Sequence, residues 1–189
     1  MADEKGLKKK GVITGTKKEI QQCKKELRDP MFVGIDPSYN SFGIIVIDKS
    51  GELIEQKLLK SKVKAEPEDR IMELEKAFEF IPNIICLHSV YMEGPSYSSD
   101  GAYMLQMGAL HYYLRIFFRK HNVEYKVIAP GTLKKFVTGK GNCKKNLILM
   151  KTFQKWGVEF EIDDLADAFG LAQMALEDFN NEQDPGSSK

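Results

Sequence analysis

Four acidic side chains hold positions from which they can do chemistry together: Asp36, Glu93, Asp164 and Asp167. Asp36 closes the apolar run Met31-Phe32-Val33-Gly34-Ile35, and Glu93 closes the largely apolar stretch from Ile84 to Met92. Such runs predict buried strands that each deliver an acid at the carboxyl end. Asp164 and Asp167 are three residues apart, which places them on one face of a helix. Carboxylates gathered in one place repel each other and resist ionisation unless cations neutralise them. A donor set made of oxygen alone, with no His or Cys cluster, suits Mg²⁺ or Mn²⁺. Two such ions bridged by Asp36 would activate a water and stabilise the leaving oxygen of an in-line phosphodiester displacement. Taken singly, the acids have plainer uses. Asp36 can cap a turn, Glu93 can pair with a lysine, and Asp163 and Asp164 suit a helix N-terminus. Taken together, two strand-end acids and a D-x-x-D helix start point to a metal site.

A second constellation is basic. The stretch from Ala129 to Lys145 holds Lys134, Lys135, Lys140, Lys144 and Lys145 among Gly131, Gly139 and Gly141, with no acid. Glycines let a backbone approach a phosphate chain, and lysines neutralise that chain by releasing its counterions. One or two of these lysines can also support charge on a cleaved phosphate. The plainer alternative is an exposed, solvated loop.

Elements that would position these residues follow from the pattern. Strands are expected at Met31–Asp36, Phe42–Ile47, Glu52–Leu59, Ile84–Glu93 and Tyr125–Ala129, with Lys49-Ser50-Gly51 turning the second into the third. Pro67 suits the first turn of a helix carrying Ile71, Leu74, Phe78 and Ile81 on one face. Asp100 can cap a long helix to Lys120 that is apolar on more than one face, so it belongs to the core or to a subunit interface. One helix contains Leu147, Met150 and Phe153, and a last one runs from Asp164 to Phe179. This order implies an α/β fold: a five-stranded mixed sheet, part antiparallel meander and part parallel, flanked by helices. Parallel strands carry their chemistry at their carboxyl ends. Residues 1–30 read as a basic arm with a short helix opened by the capping box Thr16-Lys17-Lys18-Glu19. Residues 31–180 form the main domain, and 181–189 a disordered tail.

Composition sets the outer limits. A chain of 189 residues, 42% hydrophobic and 29% charged, is an ordinary globular domain and neither a disordered nor a collagen-like chain. Its apolar runs are too short to span a bilayer, and no secretory signal opens it. Three scattered cysteines suggest neither a disulfide framework nor a zinc site, which fits a cytoplasmic protein, bacterial or in a phage-infected host. The net charge of +1 hides a strong asymmetry. Residues 111–155 hold eleven basic side chains against Glu124 alone, whereas 156–189 hold nine acids against Lys189 alone. A basic block beside an acidic one is a common arrangement in a metal-dependent enzyme acting on phosphates.

With these motifs in view, the sequence resembles the RuvC-type Holliday-junction resolvases, especially shorter phage-encoded members, of the ribonuclease H-like superfamily. The resemblance rests on Gly34-Ile35-Asp36-Pro37-Ser38, Tyr91-Met92-Glu93-Gly94, the stretch from Ala129-Pro130 to Lys145, and Asp164-Leu165-Ala166-Asp167-Ala168, in that order. It implies a ribonuclease H-like fold and a metal-binding tetrad of Asp36, Glu93, Asp164 and Asp167, with Asp163 as the neighbouring alternative to Asp164. It also implies catalytic lysines at Lys134 and Lys145, with Lys144 adjacent, and DNA contacts through Lys135 and Lys140. Tyr97 is a possible stand-in for the family's aromatic wedge. The implied protein is a homodimer that nicks opposed strands of a four-way junction with two Mg²⁺ or Mn²⁺ ions per site. No small-molecule cofactor and no membrane are involved. Two other functions stay open at this stage: ribonuclease H-type hydrolysis of RNA–DNA hybrids, and a catalytically silent junction-binding module.

Overall fold

The computed structural model describes residues 14–19, 22, 29–60, 66–96 and 100–184, with the side chain of Lys145 outside the described set. Five strands form one sheet: β1 (Met31–Asp36), β2 (Ser41–Ile47), β3 (Leu53–Lys60), β4 (Leu87–Glu93) and β5 (Tyr125–Ile128), in the order β3-β2-β1-β4-β5. β1, β2 and β3 pair antiparallel as a meander, while β4 pairs parallel with both β1 and β5. The expected mixed sheet is therefore present. Among the described residues, five helices flank it: α1 (Pro67–Phe78), α2 (Gly101–Lys120), α3 (Pro130–Thr138), α4 (Lys145–Trp156) and α5 (Asp163–Gln183).

Strand alternation divides the core in two. Val33, Ile35, Ile44, Val46, Val90 and Met92 face one side, where they meet Leu74 and Phe78 of α1 and Leu110, Leu114 and Phe118 of α2. Phe32, Ile45, Ile47 and Tyr91 face the other side, against Leu133 of α3, Ile148 of α4 and the Ala166–Leu176 stretch of α5. Both faces of the central strands are covered, which is why those strands read as continuous apolar runs.

Local chemistry sets the element ends. The Asp100 carboxylate accepts hydrogen bonds from the Ala102 and Tyr103 N–H groups at 3.0 and 3.2 Å, capping α2 as expected. The Thr16–Glu19 capping box is formed in both directions, at 2.8 and 3.4 Å. Most of the remainder of the expected short helix lies outside the described residues. Gly51 turns β2 into β3 with a positive φ of 81°, and Gln173 of α5 donates to its carbonyl at 3.0 Å. Tyr113 of α2 donates to Glu75 of α1, and Lys126 of β5 pairs with Asp178 of α5 at 2.7 Å.

Some expectations shift. β4 begins at Leu87 rather than Ile84, because a 3₁₀ turn at Ile81–Asn83 and a left-handed Cys86 (φ 62°) interrupt the apolar run. α5 continues to Gln183, three residues into the segment expected to be a disordered tail. Of the apolar marks of α4, Met150 and Phe153 face outward at 46% and 54% exposure, while Ile148 and Thr152 are fully buried. Among the described residues, Cys143 is a free thiol. Among the described residues, no helix is long and apolar enough to cross a membrane.

Candidate active site

The strand register brings the first two acids together. Ile35 on β1 lies opposite Met92 on the parallel strand β4, so Asp36 and Glu93 leave the sheet side by side. Alternation puts Asp36 on the same face as Phe32, and Glu93 on the same face as Tyr91. That is the face α5 covers. Asp164 and Asp167 sit in the opening turns of α5, which starts at the same end of the sheet. Acids belong there on electrostatic grounds too, since the positive end of the helix dipole lies at its N-terminus.

Two strand glycines let the helix approach this closely. A Cβ on Gly34 would lie 1.8 Å from the Ala168 carbonyl oxygen and 2.6 Å from the Ala172 nitrogen. Gly43, paired with Asp36 across β1 and β2, lies beneath Asp164, where a Cβ would stand 2.6 Å from the Asp164 carbonyl oxygen. α5 therefore rests directly on the strand backbones, and its first turn stands over the ends of β1 and β4.

The electrostatics confirm the gathering. Asp36 is buried, and its carboxyl is held well above the ordinary carboxylate range. Burial is the largest cause, followed by the charges of Glu93, Asp167 and Asp164 in that order, and by a hydrogen bond with Glu93. Two carboxyls can share a hydrogen bond only if one carries a proton, so the cluster is over-charged as it stands. Among the described residues, no group of three or more acidic, His or Cys side chains is set to hold a metal ion. The donor set nevertheless fits a hard divalent cation, because it offers only oxygen and its charge needs a counter-ion.

Basic residues approach from the neighbouring helices. β5 is parallel to β4, so its carboxyl end, where α3 begins, points the same way as Asp36 and Glu93. Lys134 is half-buried and Lys135 exposed, one turn into α3. Gly139 ends that helix in the left-handed region, at φ 78°, and exposed Lys140 follows. The chain then doubles back: a Cβ on Gly141 would lie 3.2 Å from the Gly131 carbonyl oxygen. Lys144 and the backbone of Lys145 therefore open α4 near the site end of the sheet. The stretch is thus helical over Pro130–Thr138, which carries Lys134 and Lys135, while Lys140 and Lys144 lie exposed in the loop between the two helices.

No protein-family model matches the chain. Individual relatives do. It is 25% identical over 152 residues to the crossover junction endodeoxyribonuclease RuvC of Ehrlichia canis, covering 79% of this chain and 97% of that one. To the RuvC of Rickettsia massiliae it is 28% identical over 158 residues, covering 77% and 96%. Among solved structures, Thermus thermophilus RuvC matches with a TM-score of 0.67 at 16% identity, over 80% of this chain and 96% of that one. The chain is similar in sequence and in fold to RuvC-type resolvases. Fowlpox virus resolvase, solved with Holliday junction DNA, matches with a TM-score of 0.51 at 16% identity, over 79% and 98%. These likenesses bear out the ribonuclease H-like fold.

The acids Asp36, Glu93, Asp164 and Asp167 are brought together at one end of the sheet. Tyr97, the possible wedge, lies outside the described residues, as does the side chain of Lys145. Sequence reasoning missed Gly34 and Gly43. The signal was available, since an isolated glycine inside a strand marks a bulge or a close backbone approach.

Proposed function

We infer that the chain is a divalent-metal-dependent, structure-selective endonuclease that resolves Holliday junctions. One observation carries this reading: the buried Asp36 carboxyl, surrounded by Glu93, Asp167 and Asp164 at the carboxyl end of the sheet. Those four side chains would hold the metal, with Asp163 as the neighbouring alternative to Asp164. A divalent cation held there, Mg²⁺ or Mn²⁺ and two per site in our reading, supplies a water acidified for attack and a counter-charge for the leaving oxygen. The chain's own part is positional. Asp36 and Glu93 are positioned by strand pairing, and Asp164 and Asp167 by a helix resting on glycines. Lys134 and Lys145 would support charge on the phosphate, while Lys135, Lys140 and Lys144 hold the DNA backbone and Tyr97 probes the junction centre.

Residues 31–180 form the nuclease domain in this proposal, working in the cytoplasm. A homodimer is also proposed, because nicking two opposed strands needs two sites at a fixed separation. Its support is a bare apolar seam on α2. Ala102, Leu105, Ala109, Tyr112 and Ile116 are all exposed, and Leu105 and Tyr112 reach 76% and 66%. Their alternating spacing of three and four residues is that of a coiled-coil seam, and it extends about 21 Å along the helix.

The decisive experiment is cleavage of synthetic four-way, forked and linear DNAs and an RNA–DNA hybrid, with Mg²⁺ or Mn²⁺. Selective, symmetric cutting of the four-way junction is expected. It should vanish in Asp36→Asn and Glu93→Gln while junction binding survives. Preferential cutting of the hybrid would replace this reading with a ribonuclease H activity. Binding without any metal-dependent product would leave only a junction-binding module.

A further inference from the structure

The lysines placed at the site so far all lie on one side of it. In the sheet order β3-β2-β1-β4-β5 the acids Asp36 and Glu93 end β1 and β4, and Lys134, Lys135 and Lys140 follow β5. The opposite flank, at β3, carries a cation as well. Asp36, Gly43 and Leu58 form one row across β1, β2 and β3. Cross-strand partners share a face, and this row lies on the α5 face, where Gly43 sits beneath Asp164 and Leu58 packs with the α5 core. Lys60 is two residues beyond Leu58, so it belongs to the same face. β3 runs in the direction of β1, which puts Lys60 past the row of Asp36, toward the site end. Lys60 is exposed, and among the described residues it makes no ion pair or hydrogen bond. Its cross-strand partner is Ser41, whose hydroxyl is buried without a hydrogen-bond partner, so Lys60 is not tied to the strand beside it. The sequence holds no acid from Lys57 to Lys64 to offset its charge.

A DNA strand lying across four carboxylates is repelled by them on both sides of the cut, so its phosphates need cations on both flanks. α3 and the loop after it supply them on the β5 flank. We propose that Lys60 is the phosphate-binding residue of the β3 flank, so that the cut strand runs from the α3 lysines over Asp36 to Lys60. The spacing suits a nucleic-acid backbone. Two strand separations of about 4.8 Å and two residues of about 3.4 Å put the Lys60 backbone about 12 Å from that of Asp36. At about 3.4 Å per base step, that is three to four nucleotides from the cut phosphate. This inference rests on the resolvase reading and extends it to the direction in which the strand is held.

The test is equilibrium binding of a fluorescent four-way junction to the full chain without divalent metal, across a range of salt concentrations. Lys60→Gln should weaken binding and lower the salt slope by about 1 for each protomer bound, and Lys60→Arg should restore both. Lys57→Gln is the control. Lys57 lies on the opposite face of β3, its Nζ 3.6 Å from the Phe80 ring centre, so the same loss of charge there should leave the slope unchanged. Neutral methylphosphonates, placed one at a time within four nucleotides of the cut on either side, then locate the contact. One of them should weaken binding to the unaltered chain and not to Lys60→Gln. An unchanged slope in Lys60→Gln, or an equal fall in Lys57→Gln, would overturn the inference. So would a Lys60→Gln protein that keeps the penalty at every substituted phosphate. If the unaltered chain neither binds nor cuts junctions, the resolvase reading falls and takes this inference with it. If it binds and cuts while Lys60→Gln binds as it does, only this inference falls.

Discussion

Gly43 lies so close beneath Asp164 that a Cβ on the glycine would stand 2.6 Å from the Asp164 carbonyl oxygen. The register makes that contact matter, because Gly43 is the residue paired with Asp36 across β1 and β2. One missing methyl group therefore sets the distance between the strand-end acid and the first turn of the helix that carries two more.

Gly43→Ala is thus expected to push the start of α5 outward while the rest of the helix holds. Overpacking of this kind costs about 1–3 kcal/mol. A displacement of about 1 Å at a reacting centre costs on the order of 100-fold in rate. Junction cleavage should fall much further than the melting temperature. Gly34→Ala meets backbone at 1.8 Å and should mainly destabilise the fold. Parallel measurements of cleavage rate and thermal melting separate the two effects. Full activity in Gly43→Ala would show that the helix start is not held at this distance.

A second expectation concerns charge. Asp36 holds its proton more tightly folded than unfolded, because burial and three neighbouring carboxylates raise its pKa. The folded state then binds more protons than the unfolded one above the ordinary carboxylate range, so this group's contribution to stability falls as pH rises. Without divalent ions, Asp36→Asn should be at least as stable as the unaltered chain at neutral pH. Added Mg²⁺ or Mn²⁺ should raise the melting temperature of the unaltered protein and not that of the variant. An equal rise in both would remove Asp36 from the metal site.

Much of this was legible in the sequence, for identifiable reasons. Asp36 and Glu93 could be found because buried parallel strands read as apolar runs, and a carboxylate ending such a run stands out. Asp164 and Asp167 could be found because helical spacing is local. The meeting of all four depends on backbone contact between α5 and β1, which a glycine permits but does not announce. The outward turn of Met150 and Phe153 was hidden for a related reason. A short helix with Leu147, Ile148, Leu149, Met150 and Phe153 has apolar residues on several faces, and packing against α3 and α5 decides which are buried. Cys86 escaped because its left-handed backbone, at φ 62°, interrupts what reads as an unbroken strand.

The α2 seam yields a third expectation. Leu105→Lys and Ile116→Lys place charges on side chains that are 76% and 50% exposed, so each folded protomer should tolerate them. Sedimentation should show dimers for the unaltered protein and monomers for the double variant. On a cruciform plasmid the product should shift from paired cuts to single nicks. A double variant that remains dimeric would place the interface elsewhere.

The last expectation comes from the buried side of the same helix. His111 is only 3% exposed, and neither of its ring nitrogens has a hydrogen-bond partner in the structure. Burial, and then the nearby Arg115 charge, lower its pKa to about 4. The folded state therefore keeps the ring neutral, while the unfolded chain takes up a proton near pH 6.5. Below that pH the unfolded state binds more protons, so stability is lost as the pH falls through the window down to about 4. Between pH 7 and pH 5 this single group should remove roughly 2 kcal/mol. His111→Met keeps an apolar side chain of similar volume and does not titrate. Urea unfolding of both proteins at the two pH values should show the variant gaining that amount on the unaltered chain as the solution is acidified. A constant difference at both pH values would mean that His111 finds a partner or water in the folded state.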